Sequence, residues 1–207
     1  MTGNPMEVVV VPTGAANIAS VLAGLRRVGG EGVVSEERTR VEEAERVVLP
    51  GVGAFGAAMQ RLRDDGLVDV LRARVGGGRP TLAICCGMQL LFESSEESDG
   101  VEGLACIPGR ARRFDSPRVP QLGWNRIEAD PDARVLSSGY AYFANSYRVG
   151  ERLDGWACAT CDYAGPFVAA IERGAVVACQ FHPELSGAFG LSIVRRWMEF
   201  SREAARC

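Results

Sequence analysis

The chain falls into two textures according to how its apolar and polar residues are spaced. In the first, unbroken apolar runs alternate with stretches of helical period. Val8-Val9-Val10-Val11 is a β-branched run that predicts a buried parallel strand, ended by Pro12-Thr13-Gly14. Asn17 then offers an N-cap to a helix whose Ile18, Val21, Leu22, Leu25 and Val28 recur on one face, and Gly29-Gly30 stops it. Gly32-Val33-Val34 and Arg46-Val47-Val48-Leu49 predict the next two strands, joined by a polar connector, Ser35 to Glu45, with room for a short helix. A glycine-rich loop, Pro50 to Gly56, leads into a helix with Met59, Leu62, Leu67, Val70 and Leu71 inward and a break at Gly66. Gly76-Gly77-Gly78-Arg79-Pro80 turns into the apolar run Thr81-Leu82-Ala83-Ile84.

From Cys106 onward the period shortens to alternation. Asn125 to Ala129, Tyr140 to Arg148, Trp156 to Thr160, Phe167 to Glu172 and Ala175 to Phe181 predict short strands, separated by turn residues such as Asp154-Gly155 and Arg173-Gly174. Leu191 to Ala205 reads as a closing amphipathic helix with Ile193, Val194, Trp197 and Phe200 inward. The order predicts an α/β fold: a doubly wound, mostly parallel sheet with an appended antiparallel portion, in one domain over residues 1–207. Ligands of such sheets bind beyond the carboxyl ends of the strands.

Charge and composition remove several alternatives. A net charge of −3 without a basic run argues against nucleic acid as a partner. No apolar stretch reaches the roughly 20 residues needed to span a bilayer, and Met1 to Val11 lacks the marks of a signal peptide. Seven irregularly spaced cysteines fit free thiols in a reducing cytoplasm.

One of those cysteines lies where chemistry is expected. After the strand at Thr81 comes Cys85-Cys86-Gly87, and then Met88, Leu91 and Phe92 read as the first turns of a helix. A nucleophile on a sharp strand-to-helix turn is lifted out of the sheet and faces free N–H groups, which favour a thiolate. Cys85 holds that position, although a buried structural cysteine is an equally ordinary reading of the stretch alone. The chain has a single histidine, His182, just past the apolar run Val176 to Cys179. Any cysteine–histidine chemistry must use it. Glu184, two residues on, would point to the same side of an extended segment and could fix the ring tautomer.

Together these motifs resemble the class I (triad) glutamine amidotransferases, which have a flavodoxin-like fold. More narrowly, the chain is similar to the glutaminase subunits of imidazole glycerol phosphate synthases of histidine biosynthesis. The resemblance runs in order through Leu49-Pro50-Gly51-Val52-Gly53-Ala54-Phe55, Ala83-Ile84-Cys85-Cys86-Gly87-Met88-Gln89-Leu90-Leu91-Phe92-Glu93, Val119-Pro120-Gln121-Leu122-Gly123-Trp124-Asn125, Tyr142 to Tyr147 and His182-Pro183-Glu184-Leu185-Ser186-Gly187. It implies a Cys85–His182–Glu184 triad that hydrolyses L-glutamine without metal or other cofactor. Cys86 and the Gly51-Val52-Gly53 loop would supply oxyanion donors, and Gln89, Glu97, Ser146 and Tyr147 would hold the substrate, with Glu97 as acceptor for its ammonium. The partner implied is a (β/α)8-barrel cyclase on a separate chain, in a heterodimer that receives the ammonia, and Trp124 and Leu185 are candidates for its docking face.

Departures from the family pattern are Pro12-Thr13-Gly14 for Asp-Tyr-Gly, Gln121 and Asn145 for two histidines, and Leu185 for the lysine after the triad glutamate. They touch coupling between subunits rather than hydrolysis. Another synthase's amidotransferase subunit, a non-catalytic binding subunit or a cysteine peptidase on the same sheet are the competing readings. Cys158-Ala159-Thr160-Cys161 stands alone, and its cysteines would face opposite sides of a strand, against a metal or redox use.

Overall fold

The computed structural model describes residues 5–14, 17–51, 53–150 and 152–204. The amino-terminal half runs β1 (Met6–Val10), α1 (Ile18–Arg27), β2 (Gly30–Val34), α2 (Arg38–Glu43), β3 (Val47–Gly51), α3 (Phe55–Asp64), α4 (Val68–Gly76), β4 (Thr81–Cys85) and α5 (Cys86–Leu90). It continues through β5 (Phe92–Ser95), β6 (Ile107–Arg113), β7 (Gln121–Ala129), β8 (Gly139–Asn145), β9 (Tyr147–Arg148), β10 (Ala157–Asp162), β11 (Pro166–Arg173) and β12 (Val176–Cys179). A 3-10 turn at Pro183–Leu185 and α6 (Gly187–Ala204) complete the order.

Nine strands form the main sheet in the order β2-β1-β3-β4-β12-β11-β10-β7-β8. Pairing is parallel from β2 to β12 and antiparallel from β12 to β8. This is the expected parallel sheet with its antiparallel extension. β12 belongs to both parts, which is why the residues that follow it emerge beside β4.

Alternation along the strands sends neighbours to opposite faces. Val9, Leu49, Ala83 and Ala178 pack with Phe55, Met59, Leu62 and Leu71 of α3 and α4. Val10, Val48, Leu82, Ile84 and Val177 pack with Leu25 of α1 and with Ile193 and Trp197 of α6. Covering both faces with helices leaves the central strands wholly apolar, as the unbroken runs indicate. The Asn17 cap forms, its side chain accepting from the Ser20 N–H at 3.4 Å. The break between α3 and α4 falls at Gly66, in the left-handed region at φ 65°.

Three expectations need correction. The helix after Cys85 does not continue through Phe92, because α5 ends at Leu90 and β5 begins at Phe92. The carbonyls that would carry the helix onward are taken instead: Leu90, Leu91 and Phe92 accept from the N–H groups of Leu104, Cys106 and Ala105. Gly103 makes that approach possible, since a Cβ there would lie 2.1 Å from the Phe92 oxygen. Second, the strand expected over Tyr140 to Arg148 breaks at Ser146. Its end, β9, crosses into a separate three-stranded sheet, β5-β6-β9, anchored where Ser146 O accepts from Phe114 N at 3.0 Å. Third, the closing helix starts earlier than Leu191, at Gly187, and Ala205 lies outside the described residues.

Candidate functional site

Cys85 ends β4 at φ 55°, a left-handed conformation that a non-glycine residue adopts only where its surroundings impose it. The imposing contacts come from β3. In register, Gly51 faces Cys85. A Cβ on Gly51 would lie 2.4 Å from the Gly87 nitrogen, and one on Gly87 would lie 2.0 Å from the Leu49 oxygen. Backbone therefore touches backbone, and only glycines at these two positions let β3 pass this close to the turn. Cys86 begins α5, and burial pushes its thiol well above the usual cysteine range.

His182 follows β12, and β12 pairs with β4, so the histidine emerges beside Cys85. Its backbone N–H donates to Tyr142 O at 2.9 Å, and Ser186 Oγ donates to its carbonyl at 2.6 Å. His182 Nδ1 lies 2.8 Å from Glu184 Oε1, with both side chains buried. The backbone there is not extended as expected. Residues Pro183–Leu185 form a 3-10 turn opened by the proline, and the turn itself swings the carboxylate back to the ring. Glu184 Oε2 is buried without a hydrogen-bond partner among the described residues.

Burial pulls the His182 pKa down. Hydrogen bonds to Cys85 and Glu184, together with their charges, outweigh it and bring the ring to about 10. With Nδ1 on the carboxylate, Nε2 is the nitrogen left to face the thiol. At neutral pH the ring is held as the imidazolium.

A cavity of about 420 Å3 opens over the sulfur, lined by Cys85, Cys86, His182, Gln89, Glu97, Gly53, Ser146 and Tyr147. Of the site residues expected from sequence, three do not border this cavity: Glu184, which backs the His182 ring, Gly51, which lies one layer beneath, and Val52, which lies outside the described residues. The volume is in the small-molecule range of several hundred Å3. A larger cavity of about 740 Å3 beside β6 and β9 holds neither cysteine nor histidine, and is lined by Arg110, Arg112, Arg148 and Arg152 with Glu93 and Asp154. It is bigger but has no cysteine–histidine pair, so the smaller cavity is the candidate site.

Glu97 Oε2 accepts from the Phe55 N–H at 2.7 Å, capping α3 and leaving the other oxygen for the cavity. Both N–H bonds of the Gln89 amide are committed within the protein: to Tyr147 O at 3.2 Å and to Gln180 Oε1 at 2.9 Å. Gln180 Nε2 in turn lies 3.7 Å from Cys85 Sγ. Sequence reasoning assigned Gln180 no role. Its only signal was its position two residues before His182 at the end of an apolar strand. Of the unusual residues, Asn145 Nδ2 also donates to Tyr147 O at 3.0 Å, and Gln121 Nε2 donates to Asn125 Oδ1 at 3.0 Å.

Cys158 and Cys161 belong to cores on opposite faces of the sheet, as expected of strand residues three apart. Among the described residues no cluster of histidine, cysteine or carboxylate side chains could hold a metal ion.

A strained cysteine elbow, a carboxylate-backed histidine on the neighbouring strand and a small cavity between them are the arrangement of a cysteine-nucleophile enzyme on an α/β sheet. The profile of the class-I glutamine amidotransferases matches residues 13–198, so the chain belongs to that family. Among solved structures, one described as a glutamine amidotransferase superposes with a TM-score of 0.76 at 19% identity, covering 94% of this chain and 98% of that one. Closer relatives narrow the placement to the HisH subunits of imidazole glycerol phosphate synthase. The chain is 41% identical to that of Streptococcus gordonii, over 94% of this chain and 97% of the relative. It is 39% identical to that of Thermus thermophilus, over 94% and 98% respectively. The chloroplastic hisHF imidazole glycerol phosphate synthase of Arabidopsis thaliana is 40% identical over 92% of this chain, which spans only 34% of that longer protein.

Proposed function

We propose that the chain hydrolyses L-glutamine and delivers the ammonia to a cyclase subunit on a separate (β/α)8-barrel chain, as part of imidazole glycerol phosphate synthesis. The observation that carries the hydrolysis is the Cys85–His182–Glu184 arrangement, with its 2.8 Å contact between imidazole and carboxylate. Cys85 Sγ attacks the side-chain amide carbon. The developing oxyanion is met by the Cys86 N–H and the Gly51–Gly53 loop. His182 gives a proton to the departing ammonia, and water, deprotonated by the same ring, then cleaves the glutamyl thioester. Glu97 accepts the substrate ammonium. Gln89 presents its Oε1 to the substrate, because both its N–H bonds are used elsewhere. Ser146 and Tyr147 close the cavity over the substrate backbone.

Support for the partner comes from exposed apolar residues gathered on one face at the β7–β8 end of the sheet, while Val34 stands apart on β2 at the opposite edge. Leu122 is 65%, Trp124 54% and Tyr140 59% exposed, and Leu185 beside the triad adds 38%. An apolar group of this kind marks a docking surface. Leu185 replaces a lysine of the family pattern, so docking relies there on packing rather than an ion pair. No helix among the described residues is long and apolar enough to cross a membrane. Six cysteines stand unpaired among the described residues, which fits a reducing cytoplasm.

The test is glutamate formation by the purified chain alone and with the cyclase subunit bound to its ligand. Hydrolysis that rises with partner and ligand, and that vanishes in Cys85→Ala, supports the reading. Absence of hydrolysis under every condition refutes it.

A further inference from the structure

We propose that Gln180 is a positioning residue for the nucleophile: its Nε2–H donates to Cys85 Sγ, with a polarity dictated by the Tyr147 carbonyl through Gln89. The orientation of a side-chain amide is ordinarily ambiguous, because O and N have the same shape. Here an obligate acceptor resolves it. A backbone carbonyl cannot donate, so the Gln89 atom 3.2 Å from Tyr147 O must be its nitrogen. The second hydrogen of that nitrogen points to Gln180, 2.9 Å away, which must present its oxygen. Gln180 then has only its nitrogen left to face the sulfur, at 3.7 Å. Asn145 Nδ2 donates to the same Tyr147 carbonyl and reinforces its role as acceptor.

Both amides of the relay are buried. Gln180 is fully inaccessible and Gln89 nearly so. The Gln180 backbone is held by its N–H to Ala169 O at 2.8 Å. A donor fixed against the sulfur stabilises the thiolate over the thiol and holds Sγ in one rotamer. The other groups around the sulfur are His182, backed by Glu184, with Cys86, Glu97 and Tyr147 across the cavity. Gln180 is the neutral donor among them, so its contribution does not depend on pH. This inference rests on Cys85 being the nucleophile, but its test requires neither glutamine nor a partner.

The experiment is the rate of iodoacetamide alkylation at Cys85 between pH 5.5 and 9.5, with tandem mass spectrometry locating the modified sulfur. In Gln180→Leu the alkylation profile moves to higher pH, and the rate at pH 7 falls about tenfold, the scale of one hydrogen bond to a charged group. Gln180→Glu keeps the shape and the acceptor for Gln89 but turns a carboxylate oxygen toward the sulfur. It moves the profile further than leucine does. A role in packing alone leaves the leucine profile on that of wild type, because only the glutamate adds a charge beside the sulfur. A leucine profile that superimposes on wild type, or a glutamate profile that does not move upward, overturns the proposal. Should Gln180→Leu fail to fold, Gln180→Met, unbranched and without a donor, takes its place under the same criterion. A chain that shows the alkylation shifts yet never hydrolyses glutamine would refute the proposed function while leaving this inference standing.

Discussion

Replacing Glu184 by glutamine tests the triad most sharply, because the surroundings decide which way the new amide turns. Glu184 Oε1 faces the ring nitrogen at 2.8 Å, while Oε2 is buried with no partner among the described residues. If the glutamine oxygen stayed on Nδ1, its NH2 group would occupy the Oε2 position as a new unsatisfied buried donor, costing about 1–3 kcal/mol. If the amide turns over, its oxygen simply replaces an oxygen that already lacks a partner. The NH2 then donates to Nδ1, so turnover is the favoured state. It forces the proton onto Nε2, the nitrogen that must accept from Cys85. A wrong tautomer of this kind costs on the order of 10^4 in turnover when the geometry is otherwise intact, whereas loss of the base itself costs on the order of 10^6. Glu184→Gln is therefore expected to lose about 10^3 to 10^4 in kcat with KM for glutamine little changed, and His182→Ala to lose more. Steady-state glutamate formation with the partner present, beside circular dichroism for the fold, measures both. A loss below about tenfold would show that the oxygen stays on Nδ1 and that the tautomer argument is wrong. Equality with His182→Ala would refute the division between orienting and proton-moving groups.

Other expectations follow from the same contacts. Cys85→Ala abolishes glutamate formation, whereas Cys86→Ala leaves substantial activity because its backbone N–H survives; equal loss in two folded variants would count against the assignment. Gly24→Ala gains about 1 kcal/mol of helix propensity, but its Cβ would stand 3.2 Å from Glu184 Cβ; melting temperature should hold or rise while kcat falls, and an unchanged kcat would show that the 3-10 turn yields harmlessly. Since His182 is raised from 6.5 to about 10 by folding, its contribution to stability is fully present below pH 6.5 and is lost as pH rises through 10. Urea midpoints across that window should fall in wild type, and less in Cys85→Ala, which lacks one of the groups that raises the ring. Gly51→Ala should displace the elbow and abolish activity, while Gly53→Ala should keep the fold and disturb only the oxyanion loop; activity assays with thermal melts distinguish the two.

Much of this was legible because the decisive signals are local. The apolar runs at Val8, Val47, Thr81 and Val176 are wholly buried strands, and a strand that shows no alternation must be covered on both faces. The elbow followed from strand, cysteine, glycine in sequence. What the sequence withheld depends on contacts far along the chain. The helix after Cys85 stops because residues near Gly103 take its carbonyls, and nothing in Met88 to Phe92 announces that. The pairing of β5, β6 and β9 was hidden because β6 carries Arg110, Arg112 and Arg113 rather than an apolar pattern. The Glu184 contact was anticipated for the wrong local geometry. Gln180 stayed invisible because an amide within an apolar strand has no signature until the groups it bonds are known.

The two glycines of the oxyanion loop divide its work unequally. Gly51 is wedged beneath the elbow, where any added carbon would meet Gly87 and Cys86 at under 3 Å. It cannot rotate without moving Cys85, so it fixes where the loop begins. Gly53 has φ 97° with nothing within 4 Å of an added Cβ. There the backbone is limited by torsion alone, and glycine passes between its wells at low cost. With Gly51 fixed and Gly53 unobstructed, the Gly53 backbone is free to change direction while nucleophile and base stay in place. Losing one oxyanion donor costs about 10^2 to 10^3 in rate, so such a rotation is a large switch obtained with little strain. Under the docking proposed above at Trp124 and Leu185, a partner acts on hydrolysis this way without touching the triad, because the elbow, the histidine strand and the Gln180 relay are all anchored in the sheet, and Gly53 is not.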